Sequence, residues 1–320
     1  MSSYFAEDEV NYTQFINLKV KQFFAEKSKG VVFGQNIISG SRISGLGSGL
    51  DKLDNVKAIN STNSENALMG LGLGLALESI PSIFLMKQHD FALLGLDQLT
   101  NTVNLISSKG FKESFIVLMV VVDSGFEGPQ ASLNNIDDFA SLTRSRVYLL
   151  NSKESIDNAF TCAKFPGLHL MVLSQKSMKK PLVNALVGAH KIGSLIKYIR
   201  NNETIKSKNL VIYTGVNLEF LNYVTEIVLA NSIILDVMVV SDILPNNQIN
   251  YDKYFEDYNK IAIIHESKSV FTASHYLATK FDVSNKSIKI FAREASEIWS
   301  TTNLDIPEYR AEEIVEFLTK

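Results

Sequence analysis

The run F-I-V-L-M-V-V-V at residues 115–122 constrains the fold more than any other stretch. Eight consecutive apolar, mostly β-branched or long residues are strand-sized. A strand with no polar face must be covered on both sides, as in a parallel sheet flanked by helices. Five further short apolar runs precede residue 175, at 31–34, 56–59, 83–86, 147–150 and 168–173. Segments with helical periodicity separate them, as at 11–25, where Tyr12, Phe15, Ile16, Val20, Phe23 and Phe24 share one face. Strands alternating with helices predict an α/β architecture with a mostly parallel, doubly wound sheet.

A second alternating set starts at Asn209. Strands are expected at 210–213, 233–240, 260–264 and 287–291, with helices at 218–230, 271–280 and 309–318. At 320 residues the chain is long for one core, so two domains are expected: 1–175, a lysine-rich connector at 176–208 that is partly helical near 189–201, and 209–320. The connector carries Lys176, Lys179, Lys180, Lys191 and Lys197, read as a solvated face.

Composition excludes several classes. A net charge of −3 leaves no nucleic-acid footprint. The apolar runs are too short to cross a membrane. Cys162 is the single cysteine, so neither a disulfide framework nor a cysteine metal cluster is expected. The acidic N-terminus lacks an apolar secretion segment, and a cytoplasmic location is expected.

The stretch 63–101 carries the candidate chemistry. Glu65 opens an almost wholly apolar helix, N-S-E-N-A-L-M-G-L-G-L-G-L-A. Glycine inside a helix costs about 1 kcal/mol relative to alanine. Gly70, Gly72 and Gly74 therefore predict a closely packed backbone neighbour, and the apolar character predicts a buried helix suited to an interface. A carboxylate at the mouth of such a helix is drawn out of water. It also suits an ordinary role, an acid favoured by the helix dipole with Asn63 or Ser64 as cap. A short strand follows, then a polar loop with His89, Asp90 and Phe91, then a helix opening near Asp97. The glycine- and serine-rich loop at 39–49 lacks a P-loop lysine and is read as a turn-rich connection.

Four stretches resemble the pyrimidine-binding and C-terminal domains of thiamine diphosphate enzymes, above all the beta subunit of the E1 component of 2-oxoacid dehydrogenases and, more distantly, the C-terminal half of transketolases. V-V-F-G-Q-N-I (31–37) resembles a strand ending in Gly-Glu-Asp. The segment 63–76 resembles Ser-Glu followed by a glycine-spaced helix. D-F-A-L-L-G-L-D-Q-L-T-N (90–101) matches an aromatic residue six before Asp-Gln. Residues 209–320, with Thr214-Gly215 and His265-Glu266 at strand ends, resemble the C-terminal domain.

The resemblance implies roles. Glu65 matches the glutamate that hydrogen-bonds the aminopyrimidine of thiamine diphosphate, with Asn63 beside it. Phe91 matches the aromatic packed on that ring, although plain core packing would also account for it. Where the family loop carries a substrate-handling histidine, this chain has Gln130-Ala131-Ser132, and Ala131 cannot move a proton. His89 is the candidate substitute; a solvated loop histidine is the alternative. Gln35-Asn36 replace an acidic pair.

No Gly-Asp-Gly occurs. The resemblance thus implies that a partner alpha-type subunit holds the diphosphate and Mg²⁺, typically in an α2β2 assembly, with a lipoyl-bearing protein as a possible acceptor. The chain itself is expected to carry no metal ligands. A split transketolase acting on ketose phosphates and a non-catalytic scaffold are the competing expectations.

Overall fold

A computed structural model describes residues 4–107, 110–123, 134–200, 207–243, 252–269, 273–279, 286–292 and 311–319. Strand β1 (Phe5–Asn11) leads into helix α1 (Tyr12–Ala25), whose cap is Asn11; its Oδ1 accepts from Thr13 N at 2.9 Å. Then come β2 (Gly30–Gly34), β3 (Val56–Asn60), α2 (Glu65–Leu77), β4 (Ser82–Met86), a 3-10 segment (His89–Gly95), a π turn (Gln98–Thr102), α3 (Val103–Ser107) and β5 (Ser114–Val121). Helix α4 (Ile136–Thr143), β6 (Val147–Leu149), α5 (Lys153–Cys162) and β7 (Gly167–Ser174) complete the first half.

Every residue of β5 is buried, as its unbroken apolar run requires. It lies at the centre of a seven-stranded sheet in which β3, β2, β4, β5, β7 and β6 run parallel. The seventh strand, β13 (Asp242–Ile243), comes from the second half of the chain and pairs antiparallel with β6.

The segment expected to be partly helical at 189–201 is instead an antiparallel hairpin, β9 (Gly188–Ile192) and β10 (Leu195–Ile199). Ile192 pairs with Leu195, leaving Gly193-Ser194 as a two-residue turn, and Gly193 takes φ 59°. A glycine with positive φ between apolar strand residues is hairpin chemistry. Lys197, counted as a solvated lysine, is bound by Asp236 at 2.8 Å.

This hairpin edges a six-stranded sheet, β15-β14-β11-β12-β10-β9, built with β11 (Asn209–Thr214), β12 (Asp236–Val240), β14 (Lys260–His265) and β15 (Ser287–Phe291). β11, β12, β14 and β15 are parallel. Strand β8 (Pro181–Ala185) pairs with β1. The remaining helices are α6 (Glu219–Ala230), α7 (Asp252–Phe255), α8 (Ala273–Ala278) and α9 (Ala311–Thr319). The architecture is therefore α/β with mainly parallel sheets, as expected.

One apolar cluster joins the two halves. It runs from Phe33, Met69 and Phe115 of the first sheet and α2, through Phe139 of α4, to Leu210, Met238 and Ile263 of the second sheet. The opposite face of the first sheet packs on α1 and α5, and that of the second on α6 and α9. No helix among the described residues is long and apolar enough to cross a membrane.

Candidate functional site

The chain leaves β2 towards β3 on one side and leaves β4 towards β5 on the other. Such a reversal opens a crevice beyond the carboxyl ends of the two central strands, the place where ligands collect in open α/β sheets. Gln35 lies just past the end of β2, and His89 to Phe91 lie just past the end of β4.

Gly34 ends β2. A Cβ there would lie 2.2 Å from the Leu85 carbonyl oxygen of β4, and φ is 154°. Only glycine lets the strands stay paired while the chain turns. Gln35 follows, and its Nε2 donates to Glu65 Oε1 at 3.3 Å. Asn60 pins the loop beyond: its Oδ1 accepts from Ile37 N at 2.9 Å and Ile38 N at 3.0 Å.

Glu65 is the first residue of α2 and is 6% exposed. Ser64 occupies the cap position without a side-chain hydrogen bond to the helix, and Asn63 and Ser64 are exposed. The carboxyl is thus enclosed at a helix start, where the dipole favours negative charge, with an amide donor from the neighbouring loop.

The 3-10 segment His89–Gly95 lies against the start of α2. A Cβ on Gly95 would sit 2.6 Å from Met69 Cγ and 3.3 Å from the Glu65 carbonyl oxygen. Phe91 is half-buried and packs against the main cluster. His89 is fully buried, its ring edge-on to Phe139 at 5.1 Å between centroids. The solvated-loop alternative for His89 is therefore overturned, because a core aromatic holds the ring. Gln98 Nε2 donates to Asn66 Oδ1 at 3.2 Å, tying the π turn to α2. Sequence periodicity predicted a plain helix there, since a π turn leaves no periodic mark. Gln130, Ala131 and Ser132 lie outside the described residues.

The glycines of α2 depart from expectation. Gly72 meets the Phe115 ring, 2.1 Å from a built Cβ, so its close neighbour is a side chain rather than backbone. Gly70 has ordinary room beside Gln98, and Gly74 faces open space. Leu71 is 44% exposed. The helix is buried on one side only, and Ala67, Leu71 and Gly74 form an exposed apolar face.

Sequence reasoning missed two polar junctions. Asp123, just past β5, accepts from Ser174 Oγ at 2.6 Å, Asn217 Nδ2 at 2.6 Å and Lys176 N at 2.9 Å, binding the two halves together. Burial, with Asp123 nearby, pushes the Tyr12 phenol well above its ordinary range. The other junction is a chain from Asp137 through His265 to Ser274. The only sequence signal for either was a polar residue directly after an apolar run.

The fold and crevice define a transketolase-like two-domain α/β fold. The particular likeness is to a solved chain described as "Split gene transketolase, inactive beta4 tetramer", with a TM-score of 0.65 and 12% identity, covering 98% of this chain and 99% of that one. No protein-family model matches the sequence, and no curated protein matches it.

Proposed function

We propose that this chain is the pyrimidine-binding subunit of a two-component thiamine diphosphate enzyme, completed by a second polypeptide. The observation that carries the reading is Glu65, enclosed at the start of α2 within reach of the Gln35 amide. A sequestered carboxyl at the start of α2 and a half-buried aromatic in the 3-10 segment suit an aminopyrimidine, which offers ring nitrogens to an acid and a face to an aromatic. When bound, the cofactor supplies a thiazolium carbon that stabilises carbanions formed from 2-oxo acids or ketoses.

The protein's own residues have narrower tasks. Glu65 would hold a ring nitrogen of the aminopyrimidine through its carboxyl. Gln35 orients the carboxyl as an amide donor, where an acidic neighbour would contest the proton. Phe91 limits ring movement, and Asn63 stands exposed at the rim. His89 is the residue proposed for substrate proton handling, a role that its full burial against Phe139 argues against. The diphosphate and Mg²⁺ fall to the partner in an α2β2-type assembly, which the exposed face of α2 is suited to contact. The domain division proposed with this reading is 1–175 and 209–320 joined by 176–208, of which the hairpin 188–199 belongs to the second sheet.

A 2-oxo acid passed to a lipoyl-bearing protein and a ketose phosphate passed to a sugar both fit. The second gains weight from the likeness to a split transketolase. The chain copurified with its partner and assayed across 2-oxo acids and ketose phosphates separates them. Glu65→Gln is expected to lower cofactor-dependent turnover at least about 100-fold with the circular dichroism spectrum unchanged, the scale of losing a positioned proton-transfer group. Full activity in that variant supports the scaffold reading instead.

A further inference from the structure

The two sheets meet across a small, half-open pocket that the proposed chemistry does not use. Its volume is about 10 Å³, close to the space one water needs. Asn134, Asp137, Thr214 and His265 line it. Thr214 and His265 end the parallel strands β11 and β14 of the second sheet, while Asp137 lies in the first turn of α4 and Asn134 just before it.

Most polar groups around the pocket are satisfied. His265 Nε2 lies 2.9 Å from Asp137 Oδ2, and its Nδ1 lies 2.7 Å from Ser274 Oγ. Ser267 Oγ donates to the Asn134 carbonyl at 2.9 Å, and Asn134 Nδ2 donates to the Glu266 carbonyl at 3.3 Å. Two atoms stand apart. Asn134 Oδ1 and Thr214 Oγ1 have no hydrogen-bond partner among the described residues, although the residues are only 4% and 3% exposed.

Buried oxygens left unsatisfied are costly and rare, and each needs a cause. Here both line one pocket of one-water size. We propose that the pocket binds a single water that bridges the halves of the chain, donating to Asn134 Oδ1 and accepting the Thr214 hydroxyl proton. Internal waters are held by two to four such partners. A metal ion suits the lining poorly. Ca²⁺ takes about 6–8 oxygens, and no group of three His, Cys, Asp or Glu among the described residues could hold an ion.

Two measurements test this. A crystal structure of the unaltered chain soaked in rubidium chloride should show one non-anomalous density peak within hydrogen-bond distance of both oxygens. A dry pocket, or an anomalous rubidium signal, overturns the proposal. In a double-mutant cycle, Thr214→Val and Asn134→Ala should each lower the denaturation midpoint, and the pair should lower it by clearly less than the sum, because either change releases the same water. Additive shifts overturn the bridge.

Discussion

At the scale of single residues, the site depends on what is missing as much as on what is present. Gly34 carries no side chain because the Leu85 carbonyl of the adjacent strand occupies that space, 2.2 Å from a built Cβ. Gly34→Ala must push β2 and β4 apart or strain the turn that delivers Gln35 to Glu65. It is expected to destabilise the chain by about 3 kcal/mol, read as a lower urea midpoint. The place of Glu65 at the start of a buried-faced helix was legible in the sequence as an acid before an apolar run, whereas the role proposed for Phe91 rests on the resemblance alone. The Asp123 junction and the pairing of Asp137 with His265 left only a polar residue after an apolar run, which names no partner. Their partners lie from 51 to 128 positions away, and single-sequence spacing does not encode such distances. His89 shows the same limit: its loop is polar in sequence, yet the ring is buried by Phe139, which only the fold brings there.

At the scale of elements, periodicity served well where one face is apolar and poorly where pairing partners decide. The six strands expected before residue 175 are present as β2 to β7. The hairpin β9–β10 was read as a partly helical stretch of a lysine-rich connector, whereas Lys197 is bound across the sheet by Asp236. The three glycines of α2 were read as one device, and the fold separates them. Gly72→Ala drives a methyl into the Phe115 ring and should cost about 1–3 kcal/mol. Gly74→Ala meets nothing and should stabilise by up to about 1 kcal/mol through helix propensity. Chemical denaturation of the two variants side by side checks the contrast; equal effects would contradict it.

Strand β7 contributes a pH dependence. His169 is 7% exposed, and its Nε2 lies 2.9 Å from the Phe165 carbonyl oxygen. Burial holds its pKa below the ordinary 6.5, with the carbonyl contact opposing. The unfolded chain therefore binds this proton more readily than the folded one. The stability it confers is complete above about pH 6.5 and is lost as pH falls towards the folded value. His169→Gln should flatten the fall in stability of the wild type between about pH 7 and pH 5, measured by thermal denaturation across that range.

At the scale of the whole molecule, the two halves are not independent beads. Strand β13 leaves the second half to complete the first sheet, and Asn151 Nδ2 donates to Gly215 O at 2.9 Å and Val240 O at 3.2 Å. One apolar cluster runs through both. This continuity holds the second sheet's strand ends beside α4, whose Phe139 backs His89. The crevice is thus held by contacts from both halves of the chain. The central claim is that a second polypeptide completes that crevice around a shared thiamine diphosphate. The most direct measurement is a crystal structure of the chain with its partner and the cofactor. The account predicts the aminopyrimidine against Phe91 with a ring nitrogen at hydrogen-bond distance from the Glu65 carboxyl, and the diphosphate on the partner. A cofactor seated away from Glu65, or an assembly that leaves this crevice open to solvent, would contradict it.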